Sequence, residues 1–334
     1  MSKELTTPSP FEIPCWTLDI QNAPTPPHPH TPTQNATVRT TWKRSLFWLP
    51  LLLCAFALTT GCEESVNPVL GTDRAYTLYG FFNPRSDTQA VRLFPVEGRL
   101  ERTRPEPLDA DVSSTDLQMG RKDVWQDSVV QYESGRFGHV YWSEFRAEFE
   151  HRYRLEAVRS DGATTQVEVT VPPLSEPVLL PPTVAPRFVF YPVFWPRAPR
   201  TNNIRVRYHT NCGAFTYDYG LESQEQVDGG TVVSVRVSDD ARDIFQTILI
   251  DPTCSIQKLR VEEIELIVLV TNAEWIPPTG VYDPELLVEP GTFSNIENGF
   301  GFVGAGYPAS IRWEPSDSAL LVAGFFVGDD EDDS

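Results

Sequence analysis

Few side chains in this sequence have both the type and the spacing to do chemistry. Of the five cysteines, Cys212 and Cys254 stand far downstream of Cys15, Cys54 and Cys62. Neither has a second cysteine at metal-ligand spacing, and only His209, just upstream of Cys212, offers a neighbouring imidazole. The pair reads first as a disulfide closing a loop of about 40 residues, with two buried free thiols as the alternative. His139, His151 and His209 are expected to be packed or surface residues rather than catalysts. Glu262, Glu263 and Glu265 supply carboxylates, but adjacent strand residues point to opposite faces, which argues against an acid/base pair. Gly299-Phe-Gly-Phe-Val-Gly304 matches the dinucleotide-binding Gly-x-Gly-x-x-Gly string. That mechanism needs a strand before the string and a helix after it. Here Ser294-Asn-Ile-Glu-Asn298 precedes it, Pro308 follows, and Ala309-Ser-Ile-Arg-Trp313 is strand-like, so a glycine-rich loop between strands is expected. No Gly-x-Ser-x-Gly elbow, His-Glu-x-x-His helix or calcium loop occurs. No catalytic residue, metal or cofactor is expected.

The sharpest signal is Cys62. Trp42-Lys-Arg-Ser45 leads into the uncharged apolar run Leu46 to Leu58, the order of a secretory signal. The run is short for a bilayer span, which takes roughly 20 residues, and it contains Pro50. Leu58-Thr-Thr-Gly-Cys62 resembles the lipobox of bacterial lipoproteins, with Thr59 where an aliphatic residue is usual. The small residues suit a peptidase that grips extended backbone, and the Cys62 thiol is the nucleophile for a thioether to diacylglycerol. Cleavage between Gly61 and Cys62 is the expected outcome, and an ordinary signal peptide with a coincidental cysteine is the alternative. Residues 1–41 are rich in Pro and Thr, and they read as disordered or as a mis-assigned start, with the true start near Val38.

These signals divide the chain into a leader over 42–61, a polar tether over 62–73 and two domains. The formal net charge is −19, which repels phosphate backbones and disfavours nucleic-acid partners. Thirty Pro, twenty Gly and two Met indicate many turns and few long helices, hence an all-β chain. The first domain, 74–173, is expected to be an immunoglobulin- or fibronectin-III-like β-sandwich. Its clearest element is the hairpin Tyr153–Val158, Ser160-Asp-Gly162, Thr165–Val171, with Leu155, Ala157, Val167, Val169 and Val171 inward and Tyr153 as a corner tyrosine. The Pro-rich stretch 174–186 reads as a semi-rigid spacer. The second domain, 187–326, is expected to be mainly β, with strands near 188–195, 204–209, 231–237 and 264–270. One short helix is expected over 238–249, capped by Ser238, with Ile244, Phe245, Ile248 and Leu249 as its apolar face. An acidic tail, 327–334, closes the chain.

Near the C-terminus, Pro290-Gly-Thr-Phe-Ser-Asn-Ile-Glu-Asn-Gly-Phe-Gly-Phe-Val-Gly-Ala305 resembles the closing Ser-Asn-Ile-x-x-Gly-x-Gly-x-Phe-Gly-Ala pattern of the domain of unknown function 4249. That family comprises outer-membrane lipoproteins of the Bacteroidetes lineage. The residues that carry the likeness are Ser294, Asn295, Ile296, Gly299, Gly301 and Gly304, with Val303 where an aromatic is usual. Tyr76-Thr-Leu-Tyr-Gly-Phe-Phe-Asn83 and the 153–172 hairpin are also similar to it. The resemblance implies an envelope protein held to the outer membrane by lipid on Cys62, on its periplasmic or surface face, and accessory to a TonB-dependent transporter. It implies a non-enzymatic binding role with an unspecified small-molecule or glycan ligand. An exported hydrolase with loop-borne carboxylates is the competing expectation.

Overall fold

Alternation of apolar and polar residues in short runs, punctuated by Pro and Gly, leaves this chain little choice but to bury one face of each strand against another sheet. The computed structural model describes residues 74–96, 105–131, 135, 137–250, 254–275 and 294–328, all within one unit, Pro68–Ser334. The Gly61–Cys62 junction, the leader, the tether and most of the acidic tail lie outside them.

The first part of the chain forms β1 (Tyr76–Phe82), β2 (Gln89–Pro95), β3 (Asp111–Asp116), β4 (Lys122–Val124), β5 (Gln126–Gln131), β6 (Phe137–Ser143), β7 (Arg152–Val158) and β8 (Thr164–Thr170). The second forms β9 (Val178–Leu179), β10 (Thr183–Ala185), β11 (Phe188–Pro196), β12 (Arg200–Thr210), β13 (Gly213–Tyr219), β14 (Gln224–Val227), β15 (Gly230–Arg236), helix α1 (Val237–Ile250), β16 (Val261–Thr271), β17 (Gly299–Trp313) and helix α2 (Asp317–Ala323). The fold is all-β apart from these short helices. One long sheet of eight strands runs β13-β12-β16-β17-β1-β2-β6-β5, and two smaller sheets, β4-β3-β7-β8 and β10-β11-β15-β14 with β9 on β11, cover it.

The 153–171 hairpin forms with the expected polarity. Tyr153, Leu155, Ala157, Val167, Val169 and Val171 are at most 1% exposed. The Tyr153 hydroxyl accepts the Glu148 N–H at 2.9 Å, the bond of a tyrosine corner. β4 and β5 are almost continuous, and the chain changes sheet at the buried Trp125, whose indole N–H donates to Ser114 Oγ at 2.9 Å.

Several features differ from the sequence reading. The stretch 174–186 is not a bare spacer, because Val178–Leu179 and Thr183–Ala185 add to β11 as short strands. It is also fastened to β17, since the buried Tyr307 hydroxyl accepts the Ser175 N–H at 2.7 Å and donates to the Pro173 carbonyl at 2.9 Å. The glycine-rich run is no loop but the first half of β17, the longest strand among the described residues. Ser238 lies inside the first turn of α1, where its buried hydroxyl has no hydrogen-bond partner, so it does not cap the helix. Leu249 is 71% exposed, and the buried face of α1 is Val237, Asp240, Ala241, Ile244 and Ile248. The second helix, α2, is only seven residues long, too short to register as a helical period.

β17 joins the two halves. Its first half pairs in parallel with β1, from Tyr76↔Gly299 to Phe82↔Ala305, and its second half pairs antiparallel with β16, from Thr271↔Gly306 to Ile264↔Trp313. Val303 and Ala305 enter the first core with Leu78, Phe82, Leu93, Leu155 and Val169, whereas Tyr307, Ala309 and Trp313 enter the second with Trp195, Val206, Val233 and Ile264. All five β17 positions are odd-numbered, so both cores lie on one face of the long sheet. A third cluster, Tyr79, Phe94, Leu269, Trp275 and Phe302, sits on the opposite face.

Candidate functional site

The residues that carry the family resemblance come together, and their neighbours give each a structural task. Asn295 sits beside the stretch of β17 that pairs with β1 on one edge only. Its side-chain N–H donates to the Val303 carbonyl at 2.7 Å, and its Oδ1 accepts the Val303 N–H at 3.1 Å, which replaces a missing neighbouring strand. Two residues on, Asn272 Oδ1 accepts the Ala305 N–H at 3.2 Å and the Asn272 backbone N–H donates to the Ala305 carbonyl at 3.0 Å. Ser294 Oγ accepts the Ile296 N–H at 3.3 Å, and Ile296 is buried in the first core. Gly301 has φ +95°, and a Cβ there would lie 2.2 Å from the Leu78 carbonyl oxygen. A Cβ on Gly299 would meet Thr165 Cγ2 at 2.4 Å, and one on Gly304 would meet the Trp275 ring at 2.3 Å. The glycines are therefore places where backbone or ring approaches closely, not a cradle for phosphate.

Cys212 and Cys254 are joined as a disulfide, with a Cα–Cα distance of 5.8 Å, tying the β12–β13 turn to the segment after α1. Two of the histidines pair with aspartates. His139 Nδ1 lies 3.0 and 2.9 Å from the two Asp127 carboxylate oxygens, and its Nε2, the atom that would face a nucleophile in a hydrolytic triad, is buried without a hydrogen-bond partner. His151 Nδ1 lies 2.8 Å from Asp116 Oδ2. Burial works to raise the Asp116 carboxyl, yet the His151 bond and the Met119 and Gln118 amides more than offset it and hold it below the ordinary aspartate value. Among the described residues, no three His, Cys, Asp or Glu side chains group closely enough to hold a metal ion.

Among the described residues, the densest assembly of exposed chemistry is on the face of the long sheet opposite the two cores. Strand alternation puts Arg205, Arg207 and His209 of β12 on that face, Glu263 and Glu265 of β16 beside them, and Arg312 of β17 beyond. Glu265, whose side chain is only 7% exposed, sits opposite both Arg207 and Arg312 in the register. Its Oε1 accepts Arg312 Nε–H at 2.9 Å, and its Oε2 lies 3.4 Å from Arg207 Nη1. His209 Nε2 lies 3.9 and 3.7 Å from Glu263 and Glu265, and Arg312 Nη1 lies 3.5 Å from Glu263. On the outer side, Arg205 Nε–H donates to Asp218 Oδ1 at 2.9 Å. Cross-strand pairs of opposite charge thus line this face of the sheet, and their guanidinium groups keep donors in solvent.

Glu263, Glu265 and His209 stand out in the sequence, whereas Arg205, Arg207, Asp218 and Arg312 do not. The signal was present: Arg-x-Arg-x-His and Glu-x-Glu share the period of two that collects side chains on one face of a sheet. Glu263 and Glu265, two residues apart on β16, are the carboxylates that share that face.

No family model matches this chain, and no curated protein matches it. Among solved structures, the crystal structure of pullulanase from Anoxybacillus sp. LM18-11 is similar over 58% of this chain and 24% of its own, with 10% identity and a TM-score of 0.19. The crystal structure of bovine butyrophilin is similar over 58% of this chain and 91% of its own, with 12% identity and a TM-score of 0.19. The chain therefore spans about a quarter of the pullulanase, and likeness at this level carries no assignment of function.

Proposed function

We propose that this chain is an exported, lipid-anchored cell-envelope protein that works by binding, as an accessory to a TonB-dependent outer-membrane transporter, and that the charged face of the long sheet is its working surface. The observation that carries the binding role is the ladder built around Glu265. Charges of both signs, fixed by strand register and by one another, form a pattern that attracts a complementary surface and repels a mismatched one. The basic patch, apolar run and Gly61–Cys62 junction support the anchor, and acyl chains at about 0.8 kcal/mol per buried methylene make it stable once two or more are attached. The resemblance around Ser294–Gly304 supports the envelope setting and the transporter partner.

Affinity purification from outer membranes tests the proposal. A β-barrel transporter should co-purify with the wild-type chain and be lost with Arg205→Glu and Arg207→Gln combined. Recovery of no barrel protein refutes the accessory role, and undiminished recovery with the double variant refutes the surface. A Cys62→Ser chain should lose globomycin-sensitive lipidation, and retention of that lipidation refutes the anchor.

A further inference from the structure

We propose that the buried junction of Asp240 with Tyr208 and Tyr219 is an acid-strengthened clasp, which holds α1 against the second core more firmly in mildly acidic than in neutral medium. Asp240 lies in the first turn of α1 and is 6% exposed, an unusual place for a carboxylate. Its Oδ2 accepts the hydroxyl of Tyr208, on β12, at 2.5 Å, and also that of Tyr219, on the edge strand β13. The Tyr219 oxygen in turn accepts the Arg236 N–H at 2.9 Å from the end of β15, and the Arg236 guanidinium stands 5.2 Å from the Tyr219 ring centre. The carboxylate therefore ties the helix to β12 and β13 of the long sheet, and through the Tyr219 oxygen to β15 of a smaller one. Behind it, Val237, Ala241, Ile244 and Ile248 fill the second core, so release of the clasp exposes that core.

The balance of charge around Asp240 sets the sign. Burial is the largest influence and disfavours the ionised form. The Tyr208 and Tyr219 hydroxyls and the Arg236 charge favour ionisation, and Asp243 on the same helix opposes it. Tyr217, also facing this cluster from β13, is pushed up to about 12 by burial and by Asp240 and Asp243, and Tyr208 and Tyr219 are raised still further. All three phenols stay protonated, leaving Asp240 to titrate. Burial wins, and the Asp240 carboxyl rises from 3.8 to about 6. The docked state then binds more protons than the released state between these values, so docking weakens as pH rises through this window. Relative to pH 7.5, docking at pH 5.0 is favoured roughly tenfold by this linkage.

Hydrogen exchange of the α1 amides in the full chain, corrected for intrinsic exchange rates, reads the clasp directly. Protection should be about tenfold greater at pH 5.0 than at pH 7.5 by that linkage, and in Asp240→Asn it should be flat. Equal protection in the wild type at the two values, or the same rise in Asp240→Asn, overturns the proposal. Tyr219→Phe serves where Asp240→Asn does not fold. It removes a donor that favours the carboxylate and must move the midpoint to higher pH, and an unmoved midpoint overturns the proposal equally.

Discussion

Replacing Gly301 by alanine separates two reasons for a glycine that a sequence cannot distinguish. Gly301 has φ +95°, and so does Gly162 nearly, at +90° in the 153–171 hairpin turn. Alanine at either position meets the backbone cost of the left-handed region, roughly 1–2 kcal/mol. Around Gly162 nothing lies within 4 Å of an added Cβ, so that cost is all Gly162→Ala should show. At Gly301 the added carbon would stand 2.2 Å from the Leu78 oxygen, more than an ångström inside ordinary contact, and 3.1 Å from its carbonyl carbon. The neighbour is backbone in the middle of β1, so relief requires β1 and β17 to part at the Leu78↔Gly301 pair. Over-packing of this kind costs a further 1–3 kcal/mol, giving a total of about 2–5 kcal/mol for Gly301→Ala. Urea unfolding of both variants, followed by tryptophan fluorescence, measures the difference. For a unit of this size the melting temperature should fall by roughly 4–20 °C for Gly301→Ala and by a few degrees for Gly162→Ala. Equal losses in the two variants would refute the close-approach account of the motif glycines and leave only backbone conformation to explain them.

Asn295→Ala removes both bonds to Val303 and leaves a buried N–H and carbonyl without partners, which should cost about 2–4 kcal/mol by urea titration, while Asn295→Asp should recover only the half that accepts the N–H. Breaking the Cys212–Cys254 link, by reduction or by a double Cys→Ser change, opens a loop with a sequence separation of 42. The chain-entropy relation gives a loss of roughly 4 kcal/mol, which calorimetry with and without reductant should register as a lower melting temperature.

The sequence discloses what depends on neighbours along the chain and conceals what depends on partners across it. The 153–171 hairpin is legible because alternation flanks a compact Asp-Gly turn, so local propensity and the buried face agree. β11, β12, β15 and β16 are legible for the same reason. β17 is concealed because Gly299, Gly301, Gly304 and Gly306 read as breakers. Their meaning lies in Leu78, Thr165, Trp275 and Val270, each far away in sequence. Asp240 is concealed likewise: in a helix start it reads as favourable to the dipole, and only Tyr208 and Tyr219, from other strands, reveal it as a buried anchor. At the candidate site the charges are legible one by one, but their meeting at Glu265 depends on the pairing of β12 with β16 and of β16 with β17.

That pairing also bears on how the molecule would present a surface. Two domains joined by a Pro-rich spacer would turn independently, and a charged face on the second would have no fixed direction relative to the start of the first. Here the chain enters the long sheet at Tyr76, opposite Gly299, and Arg312 lies near the other end of the same strand, roughly 40 Å away at 3.3 Å per residue. The ladder bonds of β1, β17 and β16 run unbroken between the two places, and Asn295 and Asn272 satisfy the edge where β17 passes from one neighbour to the other. The motif residues and the charged ladder thus belong to one device. Ser294–Gly304 set the close packing of β17 against β1, and the same strand then carries Arg312 to Glu265. A substitution such as Gly301→Ala should therefore disturb the charged face from a distance, even though it touches none of the charges.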